Sequence, residues 1–442
     1  EDIPIGCVGV VFCVAEESKQ RRRLVHDTLT PNVEISADPS VRFTPVSELR
    51  SHVNQFNYAA TFDFASFYYQ FGLGPKVRKY FSFRVGNKFY CMNRLPMGFK
   101  MACAIAQKVS TFLSRSPFDV KVEVYIDNVM IMGKGKEVVE QARLYFIERC
   151  MKYGVQLSED SGTHTSAIFR GMFFDFAART VSLKPEYALY FAKCDPTQLS
   201  TWSDWRSYIG KVVYATQVLQ IPLCRIFVLL KLLSQNVLRN PNEKITPTHS
   251  VVEVVISMNQ IIAKNVPRKV YEESVCTKIL VTDAALSTGM WGAILITDAK
   301  VFYASGKLCL SYQDRSINVA ELEAVKCAID VFKLKDRTLR VLTDNASTMF
   351  WLKATWSPVF WANALLQSIF AKVNRIFPLY VPSLLNPADP LSRDTPLEQY
   401  HVEFVQFLRR TALAASWGGG GLTLTTTPLT LSDSRVKLYL LK

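Results

Sequence analysis

Val122-Glu123-Val124-Tyr125-Ile126-Asp127-Asn128-Val129-Met130-Ile131 is an apolar run with one short polar centre, and it predicts a hairpin carrying a carboxylate at its apex. A second acid stands in similar surroundings: Ala59-Ala60-Thr61-Phe62-Asp63 ends a strand on a carboxylate, and Phe64-Ala65-Ser66-Phe67-Tyr68-Tyr69-Gln70 leads on into a helix. Between the two lies Leu95-Pro96-Met97-Gly98-Phe99-Lys100. Acids isolated in apolar strands are costly unless they bind something cationic. In-line phosphoryl transfer at a two-metal site needs carboxylates from separate rigid strands, holding ions about 4 Å apart. Taken singly, Asp63 and Asp127 read better as ordinary turn acids.

The chain around these stretches has 442 residues, which at roughly 150 per domain suggests about three structural units. Apolar residues make up 49% and charged residues 20%, enough for large cores and too little charge for a disordered chain. The net charge of +14 points first to nucleic acid, then to an anionic membrane surface. From Phe64 to Phe118 there is no Asp or Glu, while Lys76, Arg78, Lys79, Arg84, Lys88, Arg94, Lys100, Lys108 and Arg115 fall inside. Tyr80, Phe81, Phe83, Phe89 and Tyr90 interleave with them, as a template channel requires, although the aromatics alone read better as core. The ten cysteines form no Cys-x-x-Cys and read as reduced residues of a nuclear or cytoplasmic compartment. No apolar run reaches the roughly 18 residues that span a bilayer, so no membrane partner is expected. Ile3 to Ala15 lacks the basic flank of a signal peptide, and the opening without Met reads as a fragment or processed product.

Short strands alternate with helical patterns over residues 1–180, as in an α/β domain. Gly6–Ala15 reads as a buried strand before the basic turn Lys19–Arg23, and Gly86-Asn87 as a two-residue hairpin turn. Residues 181–274 carry helix-like stripes such as Leu223, Ile226, Phe227, Leu230 and Leu233. A second α/β unit follows at 275–395, with strands near 278–281, 291–297, 301–305 and 339–342 and a helix over 319–334. Residues 396–442, with Gly418–Gly421 and a Thr/Leu-rich run, read as a tail.

Acids recur in this second unit. Leu280-Val281-Thr282-Asp283 ends a strand on one, Asn318-Val319-Ala320-Glu321-Leu322 opens a helix with another, and Val341-Leu342-Thr343-Asp344-Asn345 ends a parallel-type strand, where α/β ligands gather. Asn386-Pro387-Ala388-Asp389-Pro390-Leu391-Ser392-Arg393 closes the set. Asn318-x-x-Glu321 is also close to a capping box, in which Glu321 would merely accept from the cap backbone.

Together, residues of about 5–180 resemble a reverse transcriptase. The resemblance makes Asp63 the first catalytic Asp and Tyr68 the steric gate against the 2′-hydroxyl. Leu95-Pro96-Met97-Gly98-Phe99-Lys100 through Gln107 resembles the template and nucleotide-binding segment, and Tyr125-Ile126-Asp127-Asn128 stands where the family has Tyr-x-Asp-Asp. Arg23, with Asp27 and Asn32 and helped by Lys19, matches the triphosphate grip, and Phe169-Arg170-Gly171 the primer grip. Residues of about 275–395 resemble retroelement RNase H, with Asp283, Glu321, Asp344 and Asp389 as counterparts of its four metal-holding acids. The order implies an α/β (α+β) chain: right-hand fingers and palm (1–180), helical thumb and connection (181–274), and an RNase H-like mixed sheet (275–395).

The resemblance further implies Mg²⁺ or Mn²⁺ in both sites, held in the first by Asp63, Asp127 and the Phe64 carbonyl. The implied partners are an RNA template, a DNA primer, the RNA/DNA hybrid and deoxynucleoside triphosphates, with an element-encoded recombinase possible on another chain. The motif wording is closest to the DIRS/VIPER group of tyrosine-recombinase retroelements, with gypsy-like elements as runner-up.

Three departures stand out. Asn128 replaces an acid, no Lys occurs between Lys152 and Lys184 where the family has one, and Cys103 stands where Pro is common. The first two leave open an alternative, a nucleic-acid-binding protein with a degenerate polymerase site that keeps only hybrid binding or RNase H cleavage. Asp160-Ser161-Gly162 matches the aspartic-protease triplet but lacks its apolar flanks, and the five histidines are isolated.

Overall fold

The computed structural model describes residues 8–16, 21–34, 40–236, 238–271, 276–309, 316–335 and 338–416. The chain divides into two compact units. One runs to Ala188 and takes back Asn265–Val270; the other holds Leu189–Lys264 and continues from Tyr271. Helices and sheets occur in both, a mixed α/β fold. No helix among the described residues is long and apolar enough to cross a membrane.

The first unit is built on a four-stranded antiparallel sheet in the order Lys121–Tyr125, Asn128–Gly133, Tyr58–Phe64, Leu157–Asp160. Tyr125 pairs with Asn128, so Ile126 and Asp127 alone form the turn of the expected hairpin. The inner strands are apolar because helices Ala102–Leu113 and Lys136–Lys152 pack on them, with Ala60, Phe62, Val129 and Ile131 meeting Ala106, Leu113, Val139 and Phe146 in one buried cluster. A second antiparallel sheet holds Ser166–Phe169, Met172–Asp175, Thr180–Leu183 and Arg268–Lys269.

Gly86 has a φ of +60° and turns the hairpin of Ser82–Val85 with Lys88–Cys91, as its sequence predicts. The aromatics of this region divide: Phe81 is fully buried, whereas Tyr80, Phe89 and Tyr90 are exposed. Expectation fails for the first strand. Among the described residues Val11–Glu16 pairs only with Arg21–His26 in a two-stranded ribbon, and Val10, Phe12 and Val14 are exposed. Apolar composition suggested burial there, but a two-stranded ribbon covers neither of its own faces. Arg21–Arg23 belong to its second strand rather than to a turn, and Lys19 lies outside the described residues.

The second unit centres on a five-stranded sheet in the order Val301–Lys307, Met290–Ile296, Ile279–Ala285, Thr338–Thr343, Arg375–Tyr380. The first three strands run antiparallel and the last two pair parallel to them. Both faces are covered, which is why Ile279–Ala285 is buried at every position. Helices Ile317–Val331 and Phe360–Phe370 cover one face. On the other, Val381, Leu385 and Ala388 join Phe404, Val405 and Leu408 of helix Gln399–Ser416, so the packed unit reaches past residue 395. Residues 417–442, including the glycine run, lie outside the described residues. Helices Trp202–Leu219, Phe227–Gln235 and His249–Ala263 belong to the same unit, the first opened by a capping box of Thr201 and Asp204.

One glycine decides whether the short helix Asp389–Arg393 can lie on this sheet. A Cβ at Gly292 would come within 2.5 Å of the Ala388 carbonyl and 2.7 Å of the Ser392 nitrogen, both backbone atoms that cannot swing aside. Gly292→Ala is therefore expected to destabilise the protein by about 1–3 kcal/mol, the usual cost of overpacking. Urea unfolding of the two proteins side by side measures it, and equal midpoints would contradict this packing.

Candidate functional site: two acid clusters

Asp63 lies next to last on its strand, opposite Asn128 on one neighbour and Glu159 on the other. The register with Leu157–Asp160 breaks between Asp63 and Phe64, and the Phe64 N–H donates to the Asp127 carbonyl at 3.1 Å. The strand end and the hairpin apex are thereby joined. The Asn128 Nδ2 donates to Asp63 Oδ1 at 3.1 Å and to Asp127 Oδ1 at 3.2 Å, so one amide spans both carboxylates. Ser158 adds a hydroxyl donor to Asp63 Oδ2 at 3.1 Å. Asp63, Asn128, Ser158 and Glu159 line a cavity of about 390 Å³ together with Ile168 and Phe169.

The apex itself is strained. Ile126 has a φ of +55°, a region that a β-branched residue avoids at a cost of about 1–2 kcal/mol. Helix Ala102–Leu113 holds it there: Gln107 Oε1 accepts from the Ile126 N–H at 2.7 Å, Gln107 Nε2 donates to the Val124 carbonyl at 3.1 Å, and the Ser110 hydroxyl donates to the Ile126 carbonyl. Gln107, read from sequence as substrate-binding, has both ends of its amide on the hairpin backbone. Beneath the apex, Glu123 is buried against His52 Nε2 at 2.9 Å and the Thr44 hydroxyl at 2.6 Å. Burial pushes this carboxyl up, but those two hydrogen bonds outweigh it and hold it below the usual range.

The other sequence candidates fall around this centre. Tyr68 sits on the single 3-10 turn Phe67–Gln70, half-buried, with its hydroxyl 3.4 Å from Cys103 Sγ. Burial, then the Cys103 bond, push its phenol far up, so it stays protonated. Gly98 has a φ of +89°, and its carbonyl accepts from Asn32 Nδ2 at 2.9 Å while Asn32 Oδ1 accepts from the Lys100 N–H at 2.8 Å. Asn32 thus fastens the Leu95–Lys100 loop to the segment after Arg23. Arg23 is placed by its backbone alone, opposite Val14. Arg170 turns its hairpin at a φ of +51°, stacks its guanidinium 4.5 Å over the Tyr125 ring and donates to the Thr44 carbonyl at 2.7 Å.

The second cluster is more deeply buried. Asp283, Glu321 and Asp344 offer oxygens that all lie within 4.8 Å of one another. Asp283 stands inside its strand, which runs on to Ala285. Glu321 is not a capping residue: the helix begins at Ile317 with Ser316 as its N-cap, so Glu321 lies beyond the first turn and faces the acids. Asn318 instead accepts from Asn345 Nδ2 at 2.8 Å. The sequence motif around Asn386 held two partners not singled out as site residues. Asn386 Nδ2 donates to Asp283 Oδ1 at 3.3 Å and Asp344 Oδ1 at 3.2 Å, and the Ser392 hydroxyl donates to Asp283 Oδ2. Asp389, the fourth sequence candidate, is outside the close triad and is ion-paired to Arg393 Nε at 2.7 Å, although its charge still reaches Asp283 and Glu321.

Burial, offset by the Ser392 bond and reinforced by Asp344, pushes Asp283 up to about 6. Burial and the charges of Asp283 and Asp344 push Glu321 up to about 9. Glu321 Oε2 is buried with no hydrogen-bond partner, a costly state for a carboxylate oxygen that a cation would relieve. Three hard carboxylate donors suit Mg²⁺ or Mn²⁺.

The sign of the resulting pH dependence follows directly. Between the ordinary carboxylate range and about 9, the folded chain holds a proton on Glu321 that the unfolded chain has released, so stability falls as pH rises across that window. Glu321→Gln is expected to stabilise the chain in chelator by roughly 1–3 kcal/mol at pH 8 and by much less at pH 5. Urea midpoints at the two pH values measure this, and a gain independent of pH would contradict it.

Comparison with known proteins follows this geometry. Residues 10–165 match the family model described as "Reverse transcriptase (RNA-dependent DNA polymerase)", and this segment contains Asp63, Asp127 and Asn128. Polyprotein P3 of Commelina yellow mottle virus is 23% identical over 332 residues, 72% of this chain but 17% of that polyprotein. Among solved structures, the foamy viral protease-reverse transcriptase dRH in complex with double-stranded DNA is similar with a TM-score of 0.51 and 16% identity, over 85% of this chain and 65% of that one. The foamy viral protease-reverse transcriptase in complex with RNA/DNA hybrid gives 0.51 and 14%, over 85% of this chain and 51% of that one. The chain therefore spans under two thirds of these relatives' length, its residues 10–165 match the reverse transcriptase family, and its fold is that of reverse transcriptases.

Proposed function

We propose that this chain is an RNA-directed DNA polymerase with hybrid-specific ribonuclease activity, from a retrotransposon. The observation that carries it is the meeting of Asp63 and Asp127, from two different strands, at one amide beside an open cavity. Divalent metal, Mg²⁺ or Mn²⁺, would supply positive charge that stabilises the attacking and leaving oxygens of an in-line displacement at phosphorus. Asp63, Asp127 and the Phe64 carbonyl hold it in the first site. Arg23 and Lys19 take the triphosphate, Tyr68 excludes the 2′-hydroxyl, and Gly98, Gln107 and Asn128 shape the nucleotide pocket. In the second site Asp283, Glu321 and Asp344, with Asp389 at the edge, serve cleavage of the RNA strand. The first 180 residues act as fingers and palm, 181–274 as thumb and connection, and the unit from 275 as the nuclease.

The partners follow from that reading: RNA template, DNA primer, their hybrid and deoxynucleoside triphosphates, with a recombinase on a separate chain. The foamy viral relatives were solved with double-stranded DNA and RNA/DNA hybrid, which supports the same class of partner. The motif wording favours the DIRS/VIPER group over gypsy-like elements.

On a primed RNA template with Mg²⁺ and then Mn²⁺, Asp63→Asn is expected to lose more than about a hundredfold in extension while hybrid cleavage persists. Asp283→Asn does the converse. Unchanged extension by Asp63→Asn would end the polymerase reading.

One observation favours a second reading, in which the polymerase site has decayed and only hybrid binding or cleavage remains. Asn128 adds no charge and occupies an oxygen of each acid. Asn128→Asp is expected to lower the metal concentration for half-maximal extension about tenfold. Extension seen only with that variant would favour decay.

A further inference from the structure

Tyr68 has its ring partly confined by packing and its hydroxyl in contact with the Cys103 sulfur. The ring is half-buried between two apolar clusters, one with Phe64, Phe67 and Ala106, the other with Phe81, Leu95 and Phe99. Phe67 beside it stacks on Phe64 with centroids 4.2 Å apart, and Ser66 enters the turn at a φ of +46°. Such packing limits where the ring lies but leaves it some tilt, which carries the hydroxyl, and a half-buried phenol seeks a partner. Cys103 Sγ at 3.4 Å meets it. Cys103 is exposed on the second residue of helix Ala102–Leu113, the helix whose Gln107 and Ser110 grip the hairpin apex. One rigid element therefore touches both the acid-bearing hairpin and the aromatic beside it.

We propose that Cys103 is a positioning residue: it holds the Tyr68 side chain across the sugar end of the nucleotide pocket and thereby sets how strongly ribonucleotides are rejected. This rests on the polymerase reading above. A thiol is a weak donor and a weak acceptor, so its hold is real but soft. Loss of it frees the ring to tilt within its packed slot and admit a 2′-hydroxyl. A hydroxyl at position 103 preserves a donor and acceptor on the same stem; a methyl preserves neither.

The test is steady-state extension on one primed template with dCTP and with CTP, giving kcat and KM for each. Cys103→Ala is expected to lower the dCTP-over-CTP ratio of kcat/KM about three- to tenfold, the range of one neutral hydrogen bond, chiefly through a lower KM for CTP. Cys103→Ser keeps the wild-type ratio. Tyr68→Phe removes the same bond from the other side, so the double variant Tyr68→Phe with Cys103→Ala falls no further than the larger single change.

An unchanged ratio in Cys103→Ala, a proportionate loss of kcat for both nucleotides, or additive falls in the double variant would overturn the proposal. Cys103→Val carries the same test should the alanine variant fail to fold. Wild-type extension separates the two possible failures. Without it the polymerase reading falls and takes this inference along; with it and an unchanged ratio, only the inference falls.

Discussion

One constraint recurs in both units: carboxylates must stand together on rigid strands although their charges repel. At 4 Å two unit charges oppose each other by about 1 kcal/mol in water and by several times that near a protein surface. Each unit meets this with the same device, a single asparagine amide donating to two acids at once. Asn128 spans Asp63 and Asp127, and Asn386 spans Asp283 and Asp344. Neither amide adds charge of its own, yet each aims the positive end of a dipole at the point where repulsion is greatest. One further oxygen in each cluster takes a hydroxyl donor, Asp63 Oδ2 from Ser158 and Asp283 Oδ2 from Ser392. Glu321 Oε2 is buried without a hydrogen-bond partner, and it is an atom at which a cation has much to offer.

The scaffold around each cluster exists to make those positions rigid. In the first unit the apex residue Ile126 adopts a left-handed conformation only because Gln107 and Ser110 hold both ends of its peptide, and the helix bearing them is itself packed on the sheet through Ala106 and Leu113. In the second, the bare Cα of Gly292 lets the Ala388–Ser392 backbone lie on the strand, which brings Ser392 to Asp283. A strained residue and a missing side chain thus solve the same problem. Both let a backbone approach more closely than ordinary packing allows.

Much of this was legible in the sequence because acids in apolar strands leave a strong local signal. Asp63, Asp127, Asp283 and Asp344 are each flanked by residues that a buried strand requires, and Gly86-Asn87 announces its own turn. Partners were harder to read. Ser158, Asn386 and Ser392 are small polar residues with no distinctive local signal, and their value comes from where the chain returns, about a hundred positions away from Asp63 or Asp283. Asp389 has a partner that spacing alone could have suggested: the guanidinium of Arg393 four residues on pairs with its carboxylate. The Val11–Glu16 strand misled because apolar composition reports β propensity and burial together, and a ribbon separates the two. Helix Gln399–Ser416 was hidden behind the glycine run that follows it, although Phe404, Val405 and Leu408 repeat at helical spacing.

The two clusters also differ in a way that bears on how each handles charge. Asp283 and Glu321 are almost wholly buried, so water cannot screen them and a proton on Glu321 is the counter-charge at neutral pH; any cation entering there must displace it. Asp63 and Asp127 remain partly exposed beside a cavity open to solvent, where water can share the screening. There the third position is an amide rather than an acid, which lowers the pull on a cation but leaves the hairpin intact, because Gln107, Ser110 and the Phe64 N–H hold the apex without help from a metal. The apex of the first site is thus held through its backbone by hydrogen bonds from its own helix and strand, while Asn128 bridges the two acids without adding charge. The second site differs: its buried oxygens must be neutralised by something, and its stability and its chemistry are bound to the same proton.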